Sequence, residues 1–93
     1  MDSQNDNTVF VGNKPVMNYV LACLTLPQNG TKEVNLKARG RAISRAVDAA
    51  EILTRRYVPD FSVKKIDIGT EQVRSVESGE VRKVSSMEIH LGR

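Results

Sequence analysis

The chain has 93 residues, enough for one domain but near the lower limit at which a chain buries a sufficient core alone, a size at which pairing with a second copy is common. Apolar residues make up 40% and aromatics only 4%, with no Trp, so the core must come from Val, Ile, Leu and Ala. A net charge of +3, from 14 basic and 11 acidic residues, is too small to indicate a polyanionic partner without a clustered distribution, and the lone Cys23 excludes an internal disulfide framework and fits a reducing compartment.

Residues 1–7, MDSQNDN, are polar, lack the basic-then-apolar pattern of a secretory leader, and are expected to form a disordered tail. No apolar run is long enough to span a bilayer, which excludes a membrane partner of that kind. Thr8 to Val11 is β-branched and aromatic and is closed by Gly12-Asn13, which predicts a strand. Pro15 suits a first helical position, with its fixed φ and missing N–H. Val16, Met17, Val20, Leu21, Cys23, Leu24 and Leu26 then make a nearly all-apolar helix, expected to be covered on more than one side and stopped by Pro27 to Gly30. Val34 and Leu36 alternate with polar residues in a second strand, which Gly40 breaks. A second helix is expected from about Arg41 to Tyr57, with an apolar stripe of Ile43, Val47, Ala50 and Leu53 and with Ala46 beside it. Pro59-Asp60 ends it.

From Phe61 the pattern has period two. Phe61 and Val63 lie on one parity and Ile66 and Ile68 on the other, so a β-bulge or a change of buried face is expected across Lys64-Lys65. Ser78-Gly79 marks a hairpin turn, and Met87, Ile89 and Leu91 share one face of the return strand. Because Gly69 to Val84 is mostly polar, this hairpin should project from the body. The expected fold is an α/β two-layer sandwich of order β-α-β-α-β-β: a mixed four-stranded sheet, two helices and a long projecting C-terminal hairpin, in a single domain over residues 8–93.

The segment Lys37-Ala38-Arg39-Gly40-Arg41-Ala42-Ile43-Ser44-Arg45 holds four cations in nine residues and no acid. Gly40 allows a sharp strand-to-helix turn, and the free N–H groups of a helix start attract phosphate. Cations at a helix N-terminus are electrostatically unfavourable until an anion arrives, so Arg39, Arg41 and Arg45 are candidate phosphate ligands rather than a solvated corner. Lys14 joins them if the two β-to-α turns lie side by side, as adjacent parallel strands would place them. Arg74, Arg82 and Lys83 on the hairpin are interspersed with Glu71, Glu77 and Glu80. They fit a solvated edge and a basic arm reaching into a minor groove equally well.

Catalytic patterns are missing from the sequence. His90 is the sole histidine, on a strand, with no second His or Cys near it in sequence to suggest a metal site. Cys23 lies within the apolar helix and fits core packing. Asp48 and Glu51 sit among arginines as charge balance, no phosphate-loop or dinucleotide glycine pattern occurs, and no nucleophile, base and orienting group come together. No enzyme and no cofactor is expected.

Gly12-Asn13-Lys14-Pro15-Val16-Met17-Asn18-Tyr19-Val20, followed by Lys37-Ala38-Arg39-Gly40-Arg41-Ala42-Ile43-Ser44-Arg45-Ala46-Val47-Asp48, closely resembles the Alba family of archaeal chromatin proteins, and the likeness runs from about Thr8 to Leu91. The resemblance implies homodimers that bind double-stranded DNA, and often RNA, with little sequence preference, the body lying across the backbone and the hairpins extending toward minor grooves. Carried over by position, it implies backbone contacts at Lys14, Arg39, Arg41 and Arg45, a nucleic-acid contact at Tyr19, and a contacting arm bearing Arg74, Arg82 and Lys83. Tyr57 matches an aromatic site of side-by-side dimer packing on DNA, although the pattern equally fits the last core residue of its helix. Many members carry two lysines where this chain has Asn13 and Lys14, which leaves Lys14 as the modification candidate.

The function expected is therefore a cytoplasmic, chromosome-associated DNA-binding protein that coats or compacts duplex DNA. Two other readings stay open. One is an RNA-binding role in a ribonucleoprotein or on messenger RNA; the other is an interaction protein whose Arg cluster meets an acidic partner.

Overall fold

A computed structural model describes residues 7–28 and 33–93. The tail expected over 1–7 lies outside these residues except for Asn7, whose carbonyl accepts the Asn35 N–H at 2.8 Å, and Asn29-Gly30 of the expected helix stop lie outside them too. In chain order the elements are β1 (Thr8–Phe10), α1 (Val16–Gln28), β2 (Glu33–Arg39), α2 (Ile43–Ile52), β3 (Ser62–Arg74) and β4 (Val81–Gly92). A 3₁₀ turn, Gly40–Ala42, leads into α2, and a π turn, Leu53–Tyr57, closes it. There the Val58 N–H reaches back to the Leu53 carbonyl at 2.8 Å, and Pro59 prevents further helix. The strands form one mixed sheet in the order β1-β2-β4-β3, with β1 parallel to β2 and the other pairs antiparallel. The expected fold class holds.

Alternation along the strands decides which side is core. Val34, Leu36 and Ala38 of β2 and Ile89 and Leu91 of β4 are buried against Val20 and Cys23 of α1 and Ala46, Ala49 and Leu53 of the second helix. Of the stripe expected on the second helix, Ala50 and Leu53 are buried with Ala46 beside them and Ile43 packs against the core, but Val47 is 42% exposed. Ala42 and Ala49 are buried as well, and the short alanine side chains let the helix approach the sheet closely. Nor is α1 covered on several sides, because Leu21 and Met17 face outward.

The third strand also departs from expectation. Val63, Ile66 and Ile68 pair with Leu91, Ile89 and Met87, so they share the face that the helices cover. Yet β3 is the edge strand and the helical layer stops short of it, leaving these three side chains 46%, 52% and 78% exposed. The bulge appears where the parity changes: Val63 opposes Leu91 and Lys65 opposes His90, with Lys64 the extra residue. The β3–β4 ladder continues out to Arg74 opposite Val81, and Gly79 takes a left-handed φ of 73° in the turn. This ladder accounts for the elongated outline, 44 × 29 × 22 Å.

Candidate nucleic-acid interface

Because β1 and β2 are parallel neighbours, the turns that follow them emerge at the same end of the sheet. One cleft of about 630 Å³ between them is lined by Gly12 and Asn13 of the first turn and by Arg39 and Arg41 of the second. Lys14, the residue after Asn13, is exposed beside it. The two turns thus lie side by side.

The first turn is held from two sides. Tyr19 is buried, and its hydroxyl oxygen accepts the backbone N–H groups of Gly12 at 2.9 Å and Lys14 at 3.0 Å. A Cβ at position 12 would stand 3.4 Å from that oxygen, at the near edge of ordinary van der Waals contact. From the other side Arg45 donates through Nη1 to the Gly12 carbonyl at 2.7 Å. Tyr19 therefore shapes the loop from within the core, and Arg45 is half-buried. At the second turn Arg39 is extended, Gly40 takes a φ of 60°, and neither Arg39 nor Ala42 caps the helix start with its side chain. The Ile43 N–H is instead bonded to the Gly40 carbonyl, which closes the 3₁₀ turn.

Arg41 is exposed in this turn. Arg39, by contrast, is ion-paired with Glu71 of β3 at 3.3 Å, a pair formed across the fold that local sequence could not reveal. Both partners are partly exposed, so a phosphate can compete for the guanidinium.

The hairpin cations do not join this cluster. Arg74 donates to the Gly79 carbonyl at 2.9 Å and staples the turn, while Arg82 opposes Val73 and Lys83 opposes Gln72, placing the last two on opposite faces of the ribbon. Val76 at the tip is fully exposed. Tyr57 lies at the far end of the second helix from Arg41 and is 48% exposed, so it does not complete the core stripe.

Two features were not foreseen. Phe10 is 62% exposed on the uncovered sheet face, opposite Lys37, and it lines the same cleft. Its alternation with the more buried Val9 and Val11 was the available signal. On the same face, His90 Nδ1 lies 2.7 Å from Asn35 Oδ1 and Nε2 lies 2.9 Å from Asp67 Oδ2. With Glu88, whose carboxylate lies close by, these residues make a polar cluster from three strands. The hydrogen bond from His90, helped by Lys65 at 3.6 Å, holds the Asp67 carboxyl below its usual range against a smaller desolvation effect. Burial pushes the Cys23 thiol up to about 12, which leaves it a packing residue. No described helix is long and apolar enough to cross a membrane.

This geometry has close counterparts. The Alba family profile matches residues 7–70. The DNA/RNA-binding protein Alba of Methanocella arvoryzae is 58% identical over 95% of this chain and 91% of its own length. The DNA/RNA-binding protein Alba 1 of Archaeoglobus fulgidus is 60% identical over 95% of this chain and 97% of its own length. Among solved structures, Alba from Thermoplasma volcanium superposes with a TM-score of 0.86 at 46% identity, over 94% of this chain and all of that one. On the family match over residues 7–70, the identities of these relatives and the shared fold, the chain belongs to the Alba family.

Proposed function

We propose that this chain is a sequence-nonspecific DNA-binding protein, able to bind RNA as well, that acts as a homodimer to coat or compact duplex DNA and catalyses nothing. The observation that carries this reading is the convergence of two cationic β-to-α turns on one cleft, one turn braced by Tyr19 and Arg45 and the other bringing Arg39 and Arg41 to the same cleft. Lys14, Arg39 and Arg41 would meet phosphates directly. Arg45 would do so with the donors it does not spend on Gly12, and Tyr19 would act by holding the loop. The relatives' names support a nucleic-acid ligand of either kind.

Dimerisation is supported by the bare apolar row of β3, whose Ile68 shares one groove with Ile43 and Met87. In the dimer, the hairpins bearing Arg74, Arg82 and Lys83 would extend along the duplex, and Tyr57 would mediate packing between dimers. Such a protein would be cytoplasmic and chromosome-associated, with Lys14 exposed to a modification that removes its charge.

The test is a competition titration of duplex DNA against duplex and hairpin RNA, across a salt series, for wild type and for Arg41→Ala/Arg45→Ala. Four engaged cations per subunit give a dimer slope of log affinity on log salt of roughly −7, at about −0.9 per phosphate. DNA should win or tie, with a steep slope that the double variant flattens. A slope shallower than about −2 rejects the phosphate clamp. A clear win for RNA identifies an RNA-binding role, and failure to bind either points to an acidic protein partner.

A further inference from the structure

We infer that the cleft beside Phe10 takes an unpaired nucleobase, so that the protein holds single-stranded nucleic acid by a contact that duplex DNA cannot make. The inference rests on the nucleic-acid reading above and adds a ligand class to it. Of the four aromatic residues, Tyr19 and Phe61 are buried and Tyr57 lies at the far end of the second helix. Phe10 alone is an exposed aromatic among the cations.

Its place in the sheet explains the exposure. Thr8 and Phe10 point to the uncovered face of β1, an edge strand, so packing gives the Phe10 ring no cover. The ring lies in the cleft with Lys37, which opposes it in register, and with Arg39 and Arg41 at the mouth of the second turn. An apolar acidic peptide could satisfy the charges, but a planar aromatic surface beside phosphate-binding cations is the combination that single-stranded nucleic acid uses: bases stack while the backbone follows the charge. In a duplex the base faces are already stacked, and only groove edges and phosphates are presented. Asn13 and Glu71 on the rim offer an amide and a carboxylate to a base edge.

The test compares a labelled single-stranded oligo-dT and a duplex of equal length by fluorescence anisotropy at one salt concentration. Phe10→Ala and Phe10→Leu should weaken single-strand binding by roughly 5- to 100-fold while leaving duplex binding within about twofold. The leucine variant keeps an apolar side chain without a stacking face, so it separates lost stacking from lost folding. Phe10→Trp should retain single-strand affinity. Because the chain has no Trp of its own, the indole fluorescence of that variant reports the site directly and should be quenched by oligo-dT but not by duplex. Equal losses on both probes, no loss on oligo-dT, or an indole signal that oligo-dT leaves unquenched each overturn the stacking site, while duplex binding by the wild type keeps the nucleic-acid reading standing. If wild type binds neither probe, the nucleic-acid reading and the stacking site fall together.

Discussion

Arg45 Nη1 lies 2.7 Å from the carbonyl oxygen of Gly12, so a cation of the second helix closes the loop that precedes the first. Arg41, four residues earlier, is exposed to solvent. The two arginines look equivalent in the sequence and do different work.

That difference is measurable. Arg45→Ala removes a charge-assisted hydrogen bond and leaves a half-buried carbonyl short of a partner, which should cost about 1–2 kcal/mol. For a domain of this size such a loss lowers Tm by roughly 4–8 °C per kcal/mol. Arg41→Ala should stay within about 0.5 kcal/mol of wild type, yet flatten the salt slope by about 0.9 per subunit. Thermal melts paired with salt titrations of both single variants separate the brace from the contact.

Tyr19→Phe isolates the other brace. The ring still fits its buried site, but the N–H groups of Gly12 and Lys14 lose the oxygen that accepts them both. Water can reach this partly buried loop, so the expected loss is about 1–2 kcal/mol by urea denaturation. Duplex affinity should also fall, because the loop that carries Lys14 is no longer braced. An unchanged affinity would show that Lys14 binds without an ordered loop.

Much of the molecule was legible because local rules and tertiary packing agree in it. The strand-turn-helix signals around Gly12-Pro15 and Gly40 rest on backbone chemistry that operates within a few residues, and the parity change at Lys64-Lys65 does appear as a bulge. What escaped depends on partners distant in sequence. The pairing of Arg39 with Glu71 and the capture of the Gly12 carbonyl by Arg45 exist only once the sheet has formed. Single positions on the helix faces went astray for a related reason. Hydrophobicity assigned Val47 and Leu21 to the core, whereas close packing on the sheet selects the alanine face of α2 and leaves the larger side chains bare.

Asp67 links the open sheet face to pH. Its carboxyl is held below the ordinary range mainly by the hydrogen bond from His90, so at this site the folded state binds fewer protons than the unfolded chain. The resulting stabilisation is present above the ordinary carboxylate range and fades as pH falls through the lowered value. The stability gap between wild type and Asp67→Asn by urea denaturation should therefore be present at about pH 5 and close below about pH 4. A gap that widens in acid would mean that the His90 contact does not favour the carboxylate.

The apolar row on β3 bears on assembly. Val63, Ile66 and Ile68 lie on the helix-covered side but beyond the helices, and Ile68 is the most exposed of the three. Contiguous apolar surface of this kind usually marks an interface. In a dimer closed over it, Ile68→Asp would bury an unpaired charge, at a cost of about 3–5 kcal/mol, and the variant should be monomeric by light scattering at micromolar concentration. In the isolated chain the same side chain faces water, so circular dichroism should still report a folded domain. The monomer would carry half of the dimer's phosphate-binding cations, and its salt slope should fall by about half as well. Loss of dimer without that fall would place the cations of one subunit alone on the DNA, whereas an Ile68→Asp dimer would move the interface to another surface.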